Sequence, residues 1–235
     1  MRAHISVSLF MAVAALNSPC PRAMAQVIPP DLPPGTQYQL IFVTMQLTAA
    51  TSMHIADYNA FVTEQAGLNP SLPQGITWNA IGTASDAIAK VNAPWLGLPV
   101  YNTRGQLVAS ASSGGLYVHT HLNPVEYDQF GNTGPIWSGG EFAWTGSFDG
   151  GGPIPNNVNI LGGQEPWIGN AASPGYPNGN LWLSATYSDY NEPPTLQLPM
   201  YALSTAITAP EPSGMMLAAF GLAGLIAWRL RWRQR

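Results

Sequence analysis

The 235-residue sequence predicts an α+β fold for the stretch between its two ends. Three observations carry the expectation. Residues 52–66 are the main run with apolar residues at convincing helical spacing. Many short β-rich runs follow it. Glycine and proline, 24 and 22 in all, separate those runs by turns and long loops.

Residues 26–37 contain Pro29, Pro30, Pro33 and Pro34 and read as a proline-rich linker. The domain proper is expected over 38–208. Its first run, YQLIFVTM at 38–45, is apolar almost throughout, as a buried strand would be. In the helix over 52–66, Ile55, Tyr58, Phe61, Val62 and Ala66 share a face. Thr51 or Ser52 is placed to cap its start and Gly67 to end it. A strand containing Trp78 is expected at 76–81. A short second helix at 85–91 stops before Pro94.

Residues 98–109 read as a hairpin about Asn102-Thr103-Arg104-Gly105, where Gly105 suits a positive φ. Alternation over 141–148 places Phe142, Trp144 and Phe148 on one face, and 181–187 alternates again, so Trp144 and Trp182 are expected to be buried. Between these runs lies a glycine-proline loop at 150–155. Residues 196–207 read as the final strand.

The two ends carry a different kind of information. Arg2 and His4 precede an apolar run at 5–16, which is short for a bilayer about 30 Å thick. Ala23-Met24-Ala25 then offers small residues at the spacing of a signal-peptidase site. Residues 1–25 are therefore expected to be a signal peptide, with Ala23 and Ala25 as the cleavage determinants. At the other end, 214–228 is an uncharged run expected to form an apolar helix. Arg229, Arg231, Arg233 and Arg235 follow it, a stop against translocation that suits the cytoplasmic side of a membrane.

Pro210-Glu211-Pro212, the apolar run and the arginine cluster together resemble the PEP-CTERM sorting signal, over residues 209–235. The resemblance implies that an exosortase, a membrane protease-transpeptidase, recognises the tail during export. It also implies a Gram-negative bacterium that makes exopolysaccharide. The tail would anchor the chain in the membrane before processing, and the chain would then reach the cell surface or the extracellular matrix.

Between residues 26 and 209 there are eleven acidic residues and two basic ones, Lys90 and Arg104, a net charge of −9. That balance argues against nucleic-acid binding, which requires Lys and Arg to neutralise phosphates. Cys20, the one cysteine, lies in the signal peptide. The exported domain thus has no disulfide and no thiolate ligand.

In the body, the order of segments resembles the C-type-lectin-like fold, in the branch with endostatin-type domains. The resemblance runs through Phe42-Val43-Thr44, Ala56-Asp57, Gln65-Ala66-Gly67-Leu68, Thr77-Trp78-Asn79-Ala80-Ile81, Pro99-Val100-Tyr101-Asn102, Gly105-Gln106-Leu107, Trp144-Thr145-Gly146-Ser147, Gly150 and Leu181-Trp182. Sugar-binding members use Glu-Pro-Asn or Gln-Pro-Asp in a calcium loop. The nearest strings here, Gln164-Glu165-Pro166-Trp167 and Asn191-Glu192-Pro193-Pro194, match neither. The family's calcium and sugar ligands therefore do not carry over.

Aromatic residues crowd the second half. Sugars stack their C–H faces on such rings, and Trp167, Tyr176 and Tyr190, set among polar loops, are the candidate carbohydrate contacts. His119 and His121 form a His-x-His pair that could contribute to a zinc site with Glu126 or Asp128, although a surface or turn role is the plainer reading. Asp149 and Asp189 sit in oxygen-rich loops of the kind that hold calcium, without any EF-hand spacing. Gly-x-Ser-x-Gly, His-Glu-x-x-His and Walker patterns are all missing. The expectation is a non-catalytic binding or structural protein without a cofactor, possible polysaccharide contact included. A secreted hydrolase acting on exopolysaccharide through a carboxylate pair is the alternative.

Overall fold

Strand β1, Gln37–Val43, has every residue after Gln37 buried. The computed structural model describes residue 29 and residues 32–117, 121–133, 142–152, 158–171, 182–183 and 192–211. Among these, β2 is Trp78–Ala80, β3 Val100–Asn102, β4 Leu107–Ala109, β5 Phe142–Trp144, β6 Ile168–Asn170, β7 Tyr201–Ser204 and β8 Ile207–Thr208. Helix α1 is Ile55–Gly67 and helix α2 is Ala89–Asn92. One main helix among many short strands makes this an α+β fold.

The main sheet runs β2-β7-β1-β3-β4, with β8 also on β1, while β5 and β6 form a separate ladder. β3 is parallel to β1; β7 and β8 are antiparallel to it. Both faces of this sheet are covered, which is why the β1 sequence is apolar without alternation. Tyr38, Leu40 and Phe42 join Tyr58 and Val62 of α1 in one core. Ile41 and Val43 join Val100, Val108, Trp182 and Leu183 in a second core on the other side. Gln39 is the polar exception in β1. Its buried amide donates to the Pro94 and Ser204 carbonyls at 3.1 and 2.8 Å and accepts the Leu96 N–H at 2.9 Å.

The final strand expected at 196–207 is interrupted. Ile41 pairs with Leu203, but Tyr38 pairs with Ile207, so the last strand holds one extra residue between these pairs. Ser204 Oγ fills the gap by accepting the Leu40 N–H at 2.8 Å. Residue 198 contributes a bridge to Thr48 ahead of β7.

Most of the other expected elements occur, shorter than expected; of the alternating run at 181–187 only residues 182–183 are described, and they form a turn. The hairpin turns at Gly105, φ 77°, and buried Asn102 accepts the Arg104 and Gln106 N–H groups. Helix α2 covers only the end of 85–91. Residues 84–87 instead close a small turn. Strand β5 stops at Trp144, because Gly146 turns the chain at φ 52°. Phe148 therefore leaves the face of Trp144 and is exposed.

The start of α1 also differs from expectation. Neither Thr51 nor Ser52 caps it, and its N-cap residue, His54, makes no side-chain capping bond. Asp86, distant in sequence, accepts the Ile55 N–H at 3.0 Å and lies 3.5 Å from His54 Nδ1. Ser52 instead accepts the His54 N–H and donates to Asp57. The Ile55 N–H, more than His54, holds the Asp86 carboxyl below its ordinary value of 3.8. A folded value below the unfolded one means that the cap stabilises fully above the unfolded value. Its contribution is lost as pH falls through the folded one. Asp86→Ala is expected to cost about 1 kcal/mol at neutral pH. Urea unfolding of both proteins should show that difference vanish in acid; a constant difference would mean that charge plays no part.

Candidate functional site

The first strand separates the molecule into two ends. Its seven residues cover roughly 20 Å. At its N-terminal end, β8 leads to the tail. At its C-terminal end the chain passes into loops: 44–54 from β1, 81–86 from β2, 103–106 from β3 and 145–148 from β5. A bridge from Trp144 to Met200 and a bond from the Met200 N–H to Thr44 Oγ1 attach β5 to this loop end.

One exposed aromatic pair stands there. The Phe148 and Trp167 rings lie 5.8 Å apart, tilted by 34°. Phe148 is 45% exposed and Trp167 half-buried. The backbone around them is firmly held. The Trp167 carbonyl accepts the Thr145 and Gly146 N–H groups at 3.1 and 2.9 Å, and the Trp167 N–H donates to Asn159 at 3.0 Å. Thr83 and Ser147 share a buried hydroxyl–hydroxyl bond of 2.9 Å. The Asn159 amide bonds the Glu165 carbonyl at 3.0 Å. Polar Gln164 and Glu165, three and two residues before Trp167 in sequence, are exposed. Such a platform can stack one apolar face of a sugar while neighbouring amides and carboxylates bond its hydroxyls.

Trp167 was expected as a contact from the sequence and lies half-buried beside Phe148, which was expected on the core face. The difference is due to Gly146: alternation carried Phe148 to the core face, and the turn removes it. The other aromatic candidates, Tyr176 and Tyr190, lie outside the described residues, as do His119 and Asp189. Asp149 begins a 3-10 turn, Asp149–Gly151, and its side chain is not described.

His121 differs from the surface role expected of it. It is buried, its Nε2 pairs with the Leu116 carbonyl at 2.9 Å, and its ring lies 4.6 Å from Trp182. Burial pushes its pKa below the ordinary value, against a smaller raising effect of the Leu116 bond. Asp128 is buried too, and its carboxylate is taken up by the Phe130 and Asn132 N–H groups at 2.8 and 2.9 Å. Among the described residues, no group of three His, Cys, Asp or Glu is placed to hold a metal ion.

Neither domain cation forms a basic patch. Arg104 donates through Nε to the Gly131 carbonyl at 2.7 Å and stacks 4.2 Å above the Tyr127 ring. That is a tether for the 127–133 loop. Lys90 belongs to α2, on a different element.

At the opposite end, the sorting residues leave the fold directly. Ala209 is buried, and Pro210 and Glu211 are exposed. Pro212, the four tail arginines and the signal residues Ala23 and Ala25 lie outside the described residues. Among the described residues, no helix is long and apolar enough to cross a membrane.

Residues 208–233 match the PEP-CTERM protein-sorting motif. The motif marks the chain as an exported protein recognised by an exosortase and destined for the surface or the exterior. No curated protein matches the chain.

Proposed function

We propose that the exported domain is a non-catalytic binding or structural component of the cell surface or extracellular matrix, and that it contacts polysaccharide through its loop end. The observation that carries this is the exposed Phe148–Trp167 pair on a rigid backbone, at the end of the sheet away from the tail. The sorting motif supports a location at the cell surface or outside it, where extracellular polysaccharide is within reach. Before processing, the tail holds the domain at the membrane, and the loop end faces outward. The binding needs no cofactor. Calcium in the loops of Asp149 and Asp189 would be the exception.

The test is retention of the exported chain on the producing cell's own exopolysaccharide. Phe148→Ala combined with Trp167→Ala is expected to weaken retention about tenfold, or about 1.4 kcal/mol. A calcium chelator is expected to change nothing. Loss of retention on chelation would replace stacking by a calcium site. No retention of the unaltered chain would reject the polysaccharide contact and leave a structural role.

A further inference from the structure

The expected linker does more than connect. Leu32 packs against the core that contains α1, and Pro29 is buried. Next along the chain, Gly35 and Thr36 form a strap across the exit of the tail. The Gly35 N–H donates to the Ala209 carbonyl at 2.9 Å, and the Ala209 N–H donates to the Thr36 carbonyl at 2.9 Å. Both backbone groups of Ala209 are thereby taken, immediately before the Pro-Glu-Pro triad.

Gly35 has φ 79°, a conformation that suits glycine. Glu211 lies over it: a Cβ built at Gly35 would meet Glu211 Oε1 at 4.0 Å, an ordinary contact distance. Glu211 is exposed, and no ion pair engages its carboxylate among the described residues. Each residue extends the chain by about 3.5 Å at most, so Glu211 stays within roughly 7 Å of the bonded Ala209. A protein that grips Pro210 and Glu211 therefore meets the folded base of the domain as well.

We propose that the sorting enzyme reads the start of the motif, Pro210-Glu211, as part of a composite surface, in which the Gly35–Thr36 strap holds these residues against the folded domain. The partner it fits has a hydrogen-bond donor or cation for Glu211 and a face that rests on the strap. The proposal rests on the sorting role of the motif. It adds that the start of the motif, through Glu211, is presented on the folded domain and not as a free peptide.

The experiment follows tail processing of the full chain in its own cells, by the mass of the surface form and the amount left in the membrane. Gly-Ser-Gly-Ser inserted between Ala209 and Pro210 keeps the motif and the strap but separates them. Contact with the domain then costs the entropy of a flexible link, and the processed fraction is expected to fall by roughly threefold or more. The same insertion between Val27 and Ile28, ahead of the strap, is expected to have no effect. Because the first insertion follows Ala209, the last buried residue among those described, the thermal midpoint of the domain should stay unchanged. Equal or faster processing of the separated motif would overturn the proposal, as would equal losses from both insertions. Replacing Pro210, Glu211 and Pro212 by alanine is expected to stop processing altogether. If it does not, the sorting role itself fails, and the composite surface with it.

Discussion

Trp144→Ala is expected to remove about 3–5 kcal/mol of stability, the range for truncating a large aromatic in a packed core. Trp144 is fully buried at the end of β5. Its indole Nε1–H donates to the Thr48 carbonyl at 2.9 Å, and its backbone bridges to Met200. One side chain thus joins the loop after β1, the β5–β6 ladder and the approach to β7. Truncation leaves a cavity between them and strips the Thr48 carbonyl of a buried donor. Domains of this size are commonly stable by only about 5–15 kcal/mol, so a large part of the total is at stake. The exported domain has no disulfide to limit the damage. Urea unfolding should show the midpoint fall sharply. Trp144→Phe, which loses the bond but keeps most of the volume, should cost about 1–2 kcal/mol. An alanine variant as stable as the parent would mean that the two ladders are held together elsewhere.

The burial of Trp144 was legible in the sequence, because alternation across a short strand needs only local pattern. So were β1, the hairpin at Gly105 and the body of α1. What was illegible depended on contacts between distant residues. The Asp86 cap on Ile55 is one case: Thr51 and Ser52 have the right chemistry and position, yet a loop 31 residues away supplies the acceptor. Gln65 is another. It faces the core side of α1 fully buried, because Gln46 and Gln129 surround its amide with partners at 3.0–3.3 Å. A polar residue at that position argues against burial until its partners are known. His121 misled for the same reason, since nothing near it in sequence announces Trp182.

The candidate site was half legible. Trp167 was singled out as an aromatic residue set among polar loops. Its ring partner Phe148 was assigned to the core by extending a strand through Gly146. The strap over the tail was invisible for a different reason. Four prolines describe a segment without regular structure, but they do not exclude the two backbone bonds that Gly35 and Thr36 make with Ala209. Irregular backbone can still be fixed backbone.

Gly169 supplies the second large effect, with its own internal control. It lies in the middle of β6 and is fully enclosed. A Cβ there would lie 1.9 Å from the Trp182 carbonyl oxygen, 2.6 Å from the Trp182 carbonyl carbon and 3.1 Å from Leu183 Cα. All three are backbone atoms, so no side-chain rotation relieves the clash. Gly169→Ala must push residues 182–183 away, and these carry two core side chains and the carbonyl that accepts the Thr145 hydroxyl. Overpacking against rigid backbone is expected to cost about 3 kcal/mol, the upper end of its usual range. Gly67, the last residue of α1, has an ordinary negative-φ conformation and nothing within 4 Å of its Cβ position. Gly67→Ala should therefore stabilise the domain by about 0.5–1 kcal/mol through lower unfolded-state entropy. The same chemical change, one methyl group, is thus expected to have opposite signs at the two sites. Thermal unfolding of the two variants decides it. If both lower the midpoint equally, glycine flexibility in general would be the cause, and the close approach of β6 to residues 182–183 would not.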